Sequence, residues 1–166
     1  MRESPVRVYW TAFIGLFFDY YDLYLFVYLD RVLAEAFAMS PATRDWSQFV
    51  GLAGVGVGAL FFGYLADRIG RRRMLIVVFA VYLIGIAGLA LSWNTGSLLF
   101  FRLMASMALG GEWGISHTYM AVNLDRKRRY LFSALLQFAI LGGLLAWAMK
   151  TDALPTFGWR GLFALA

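Results

Sequence analysis

Four ionisable side chains stand inside stretches that otherwise carry almost nothing but hydrocarbon. Asp19 and Asp22 interrupt Phe17-Phe18-Asp19-Tyr20-Tyr21-Asp22-Leu23, while Arg102 and Glu112 fall within the run 97–123. At the centre of a bilayer each such charge costs roughly 2.5–3.5 kcal/mol, so four unpartnered ones cost on the order of 10 kcal/mol. They require partners or water. A carboxylate beside an arginine in a low-dielectric cavity stays ionised while the arginine holds it. It takes up a proton when the arginine turns to another anion or when the cavity closes. The chemistry these residue types support is reversible proton binding, and the simpler alternative is a fixed ion pair that pins two helices.

Helical spacing indicates where they point. Gly15, Asp19, Asp22 and Phe26 recur at i, i+4, i+7 and i+11, a single stripe expected to face a cavity. Arg102, Ser106, Gly110, Trp113 and His117 form a similar stripe. With a rise of about 1.5 Å per residue through a core about 30 Å thick, Asp22 and Arg102 fall roughly 9 and 8 Å below the same membrane boundary. The two can therefore meet at one depth, with Asp19 nearer the midplane. Glu112 falls roughly 22 Å from that boundary by the same rise, where basic loops are its expected partners. His117 is expected near the inner interface as a solvated histidine. Tyr20, Tyr21, Tyr24, Tyr28 and Trp113 either stack on a ligand or face lipid and neighbouring helices.

The elements that must position these groups are membrane helices. In 166 residues, 61% are hydrophobic and 18% aromatic, more than a soluble domain of this size hides. Apolar runs and their breakers predict spans over 8–29, 47–66, 74–92, 97–123 and 130–149, with a sixth opening at 160. The expected fold class is an all-α membrane bundle of five transmembrane helices plus the start of a sixth, in one domain over 1–166.

Charge orients it. If the amino terminus is cytoplasmic, that side carries Arg2, Arg7, Arg68, Arg71, Arg72, Arg73, Arg126, Lys127, Arg128 and Arg129, against Arg31, Arg44, Lys150 and Arg160 opposite. This positive-inside excess predicts a multi-pass protein of the plasma membrane with a cytoplasmic amino terminus. It also accounts for the net charge of +5 without a nucleic-acid partner. Ala34-Glu35-Ala36 mimics a signal-peptide cleavage site, but the two aspartates upstream and four further spans argue against removal. No cysteine is present, no nucleophile is joined to a base, and no ligand cluster has metal spacing, so no catalytic residue, metal or cofactor is expected. Glycines are frequent: Gly54 with Gly58, and Gly110 with Gly114, are spaced to let helix backbones approach closely. The run from Gly51 to Gly58 is not a dinucleotide loop, because no strand precedes it.

Between the second and third spans the chain reads Gly63-x-x-x-Asp67-Arg68-x-Gly70-Arg71-Arg72. This resembles the loop signature of the major facilitator superfamily. Arg102 followed by Gly110-Gly111-Glu112-Trp113-Gly114 is similar to the fourth helix of its metabolite:proton symporter family, relatives of the sugar porters. Asp19-Tyr20-Tyr21-Asp22 resembles that family's Glu-Trp-Tyr-Asp, and Gln137, Gly142, Gly143 and Trp159-Arg160 also fit. The resemblance covers essentially the whole chain. It implies the amino-terminal half of a twelve-helix transporter working by alternating access, with the proton gradient as energy source.

Carried over by position, the resemblance assigns Asp19, Asp22 and Arg102 to proton coupling and Tyr21, Trp113 and Gln137 to the substrate cavity. It makes Gly63 a packing contact and places Asp67, Arg68, Gly70, Arg71, Arg72, Glu112, Arg128 and Arg129 in a cytoplasmic gating network of ion pairs and helix caps. Departures are Asp19 for a family glutamate, Ser106 for a glycine, and Val122-Asn123 where an acid often precedes the basic loop. The expected function is proton-coupled symport of a small polar metabolite, an organic acid drawn to Arg102 or a sugar. The expected partners are the lipid bilayer, the small-molecule substrate, and a carboxy-terminal six-helix half or a second copy. The alternatives are a non-transporting truncated membrane protein or helix-packing partner and, within transport, an antiporter or an uncoupled facilitator. The fifth span carries no Gly-Pro of the antiporter kind.

Overall fold

Helices satisfy every backbone polar group within one segment, which is why long apolar runs adopt them where no water is at hand. In the computed structural model, residues 5–123 and 126–165 are described, apart from the side chains of 5–8, 11, 119–129 and 132. The helices are α1 (Pro5–Ala36), α2 (Pro41–Ile69), α3 (Arg71–Ala90) and α4 (Thr95–Asn123), followed by α5 (Arg126–Leu136). A tighter turn over Gln137–Ile140 joins α5 to α6 (Leu141–Asp152), and α7 is Leu154–Ala164. Among the described residues five stretches are long and apolar enough to cross a membrane: Ala12–Ala36, Pro41–Ile69, Arg71–Ala90, Thr95–Thr118 and Ser133–Asp152. In α7 the backbone breaks at Gly158, with φ 64° and ψ 174°, so the helix proper restarts at Trp159.

The first two helices run further than the apolar pattern predicts. The connector expected over 30–46 shrinks to 37–40, because a charge ends the hydrocarbon run without ending the helix. Asp30 sits on α1 and pairs with the Arg44 side chain of α2, and Gln48 Nε2 donates to the second carboxylate oxygen at 2.9 Å. At the start of α2, Ser40 Oγ accepts the Thr43 N–H at 3.2 Å and Pro41 takes the first helical position. The next connector is a single residue, Gly70, whose φ of 94° lies where glycine is favoured. Asp67 and Arg68 thus belong to the last turn of α2, and Arg71 to Arg73 to the first turn of α3.

Helix α4 is the spine, with α2 and α3 packed along it, while α1 lies on α6 and α4. Small residues make these contacts close. A Cβ added at Gly54 would stand 2.9 Å from Ser106 Cβ, one at Gly58 would overlap the Met107 carbonyl, and one at Gly110 would overlap that of Val55. The packing expected of Gly54, Gly58 and Gly110 is present. It ends before Gly114, and at Gly63 a Cβ would meet nothing within 4 Å, so among the described residues no close helix contact depends on Gly63 lacking a side chain. The reason is angular: at about 100° per residue, Gly63 points roughly 140° away from Gly58. Leu52, Leu60, Ile76, Leu83 and Leu144 are exposed around the bundle, a belt of hydrocarbon suited to lipid.

Candidate functional site

The stripe on α1 faces the interior along its whole length. Asp19 is 1% exposed, Asp22 3% and Phe26 1%, and across from them on α4 Arg102 is 5%, Ser106 2% and Glu112 1%. Among the described residues the bundle therefore encloses three carboxyls and one guanidinium between α1 and α4. Arg102 is seated by two residues. Its guanidinium carbon lies 3.9 Å from the centroid of the Phe26 ring, and on the other side Gly51 of α2 leaves space that a Cβ would take at 2.7 Å from Nε. A desolvated arginine over an aromatic face gains about 2 kcal/mol, which holds the side chain here.

Asp22 and Arg102 share a layer, as their depths predict, and each lies within electrostatic reach of the other. They do not form a direct hydrogen bond. Neither oxygen of Asp22 has a hydrogen-bond partner, and neither does Nε of Arg102. The guanidinium rests on the ring one turn further along α1 rather than on the carboxylate. Both oxygens of Asp19 are likewise unpartnered, with Asp22 and Glu112 close enough to act on it electrostatically.

Glu112 departs from expectation. Its side chain is directed inward: a Cβ added at Gly15 would overlap Glu112 Oε1, which has no hydrogen-bond partner. It is therefore not paired with a described loop arginine, because Gly15 opens a slot on α1 that a side chain would have filled. Tyr21 also departs. It is 2% exposed and its hydroxyl donates to the Leu162 carbonyl at 3.3 Å, fastening α1 to α7 instead of lining a cavity.

A cavity of about 150 Å³ is lined by Leu16, Tyr20, Trp113, His117, Leu136 and Gln137. It brings together Trp113 and Gln137, two of the three expected lining residues, and replaces Tyr21 by its neighbour Tyr20. Tyr20 meets Trp113 at 5.5 Å between ring centroids and continues into stacked Tyr24 and Tyr28 at 6.4 and 5.9 Å. His117 Nδ1 lies 2.9 Å from the Trp113 carbonyl one turn back, and the residue is exposed as expected. A wider hollow of about 360 Å³ beside Ala42, Asp45, Trp46 and Phe49 is lined by α2 and contains none of the buried charges.

In the charged turn, Arg71 Nη2 donates to Asp67 Oδ1 at 2.8 Å and the Arg68 guanidinium lies 4.4 Å from the Tyr64 ring centroid. Arg72 and Gly70 are exposed. The side chains of Arg128 and Arg129 lie outside the described residues. What the spacing argument missed is the seat of Arg102 and the inward turn of Glu112. The i, i+3, i+7 recurrence of Gly51, Gly54 and Gly58 was the available signal for the first, since it marks one bare face of α2.

Comparison with known proteins places this geometry in context. The family model described as Major Facilitator Superfamily matches residues 12–166. Over 157 residues the chain is 31% identical to the niacin transporter NiaP of Acinetobacter baylyi, covering 94% of the chain and 36% of that protein. It is 30% identical over 156 residues to the cis,cis-muconate transport protein of the same species, covering 93% and 38%. With low affinity inorganic phosphate transporter 4 of Petunia hybrida it shares 29% identity over 147 residues, covering 79% and 28%. The chain thus spans well under half the length of these relatives.

Proposed function

Because the chain belongs to the major facilitator superfamily, we propose that it supplies the amino-terminal wall of a secondary transporter that couples uptake of a small organic acid to proton entry. In this reading the amino terminus is cytoplasmic, which the distribution of arginines supports, and the protein resides in the plasma membrane. A carboxy-terminal six-helix half, or a second copy of the chain, completes the path. The observation that carries this reading is the enclosed set of Asp19, Asp22 and Arg102, charged groups buried on facing helices without the hydrogen bonds that would lock them. A structural ion pair would close its contacts, whereas this set is free to rearrange.

In this mechanism Asp22 and Arg102 alternate partners. A substrate carboxylate reaching the Asp22–Arg102 layer draws the guanidinium off Phe26, and Asp22, relieved of its cation, binds a proton, while Tyr20, Trp113 and Gln137 line the path on the cytoplasmic side. Substrate and proton together neutralise the layer, which lowers the cost of closing the cavity around it. The halves then rock, and the Asp67–Arg71 pair at the α2–α3 turn opens or closes with them. Niacin and cis,cis-muconate, the compounds named for two of the relatives, both bear carboxylates, which supports an acid over a sugar.

The test is uptake under an imposed pH gradient, measured across a panel of organic acids with the chain reconstituted alone and with a candidate second half. Asp22→Asn is expected to abolish the dependence on the gradient while leaving exchange of labelled for unlabelled substrate. Gradient dependence that survives the substitution overturns the coupling role. Uptake restored only by the added half identifies the partner.

A further inference from the structure

We propose that Glu112 is a second proton-binding residue, sharing one proton with Asp19 across the interface of α1 and α4, on the cytoplasmic side of the Asp22–Arg102 layer. This deepens, and rests on, the transport reading above.

Three observations meet at this point. The first is enclosure without partners: Glu112 and Asp19 are each 1% exposed, and Oε1 of Glu112 and both oxygens of Asp19 lack hydrogen-bond partners. The second is a slot built for the carboxyl. A Cβ at Gly15 would overlap Oε1 and stand 3.0 Å from both Glu112 Cδ and Phe79 Cζ, so the glycine makes room for an acid and for little else. Gly15 and Asp19 are four residues apart on one helical face, and the Glu112 carboxyl in the Gly15 slot is near enough to Asp19 to act on it electrostatically. The third is the balance of charge. Among the described residues the charged groups close to Asp19 are Glu112 and Asp22, and the guanidinium of Arg102, which acts on Asp22, is stacked on Phe26, seven residues or about 10 Å along α1 from Asp19.

Among the described residues the remaining titratable neighbours supply no cation. Tyr82 of α3 donates to the Phe18 carbonyl at 3.4 Å, Tyr21 is bonded to Leu162, and Tyr20 lies in the cavity. From α2 and α6 the chain presents glycines to this interface: Gly51 and Gly54 toward α4, Gly142 and Gly143 toward α1. One guanidinium balances one carboxylate. Two further ionised carboxyls would leave two uncompensated charges in the interior, so the Asp19–Glu112 pair is stable when it carries a proton.

Placed between the Asp22 layer and the cytoplasmic end of α4, the pair gives the proton somewhere to go. Once the shared proton has left the pair toward the cytoplasm, the O–H bond at Asp22 breaks as one forms at Asp19, and the carboxylate left on Asp22 returns to Arg102. The proton moves by one carboxyl and the total charge of the four groups is unchanged by the transfer.

Infrared difference spectroscopy of the whole chain in lipid vesicles, titrated in pH, reads protonated carboxyls directly and needs no substrate. Glu112→Gln and Asp19→Asn are each expected to abolish the same carboxyl band, with the double variant losing no more than either single one, while Asp22→Asn retains it. Glu112→Asp, the conservative control for folding, is expected to keep a band that Asp19→Asn still removes. A titration of Glu112→Gln identical to the original, or losses that simply add in the double variant, overturns the shared proton. Either result leaves the role of Asp22 standing, and a failure of gradient-dependent uptake leaves the band assignment standing, so the two readings fail separately.

Discussion

Adding one methyl group at Gly58 tests the helix contact that sets Arg102 and Glu112 in place. The new Cβ would overlap the Met107 carbonyl oxygen and stand 2.5 Å from both the carbonyl carbon and Cα of Met107, where ordinary contact begins at 3.4 Å. These are backbone atoms of α4 and cannot swing aside, so α2 and α4 must part by roughly 1 Å, at an overpacking cost of about 1–3 kcal/mol. Alanine also favours the helix over glycine by about 1 kcal/mol, which would mask part of the loss. Gly56→Ala supplies the correction, because a Cβ there meets nothing within 4 Å on the same helix. The propensity gain is common to both variants and cancels in their difference. The expected gap of about 1–3 kcal/mol corresponds to roughly 5- to 150-fold in the unfolding equilibrium. Thermal or detergent unfolding of the chain in a bilayer mimic, followed by circular dichroism, measures it. Equal stability of the two variants refutes the close contact, and a greater loss at Gly56 would reverse the assigned faces of α2.

Two further substitutions separate fastening residues from functional ones. Tyr21→Phe removes the hydroxyl that reaches Leu162 and is expected to cost about 0.5–1.5 kcal/mol in the same unfolding assay. It should leave substrate affinity unchanged, since Tyr20 rather than Tyr21 lines the cavity. Asp30→Asn weakens the bonds to Arg44 and Gln48 across the α1–α2 connection and is expected to cost on the order of 1 kcal/mol. The loss should grow smaller as salt is added, and a salt-independent loss would point to packing instead.

The span pattern was legible because lipid imposes it. Runs of hydrocarbon long enough to cross, broken by arginines on one side, have one physical solution, and all five appear in the structure. The charged turn was legible for the same reason, and Gly70 with its positive φ is the residue such a turn requires. Helix ends were less so. Asp30 and Arg31 stop the apolar run, yet α1 continues to Ala36, because a helix outside hydrocarbon can carry charge on every turn.

Of the site, the sequence by itself determined which residues are costly and on which stripe each lies. Those follow from the helical repeat, which is a property of a single helix. Asp19, Asp22 and Arg102 were found this way. Only the tertiary structure decided what each one meets, because that depends on the direction in which two helices face one another and on which of them lacks a side chain at the crossing. Gly51 gives Arg102 its seat against Phe26, and Gly15 turns Glu112 from the loops toward Asp19. The absence of a Cβ at those two positions has no signature in the periodicity of α4, and it is what gathers the acids and the arginine at the buried interface of α1 and α4.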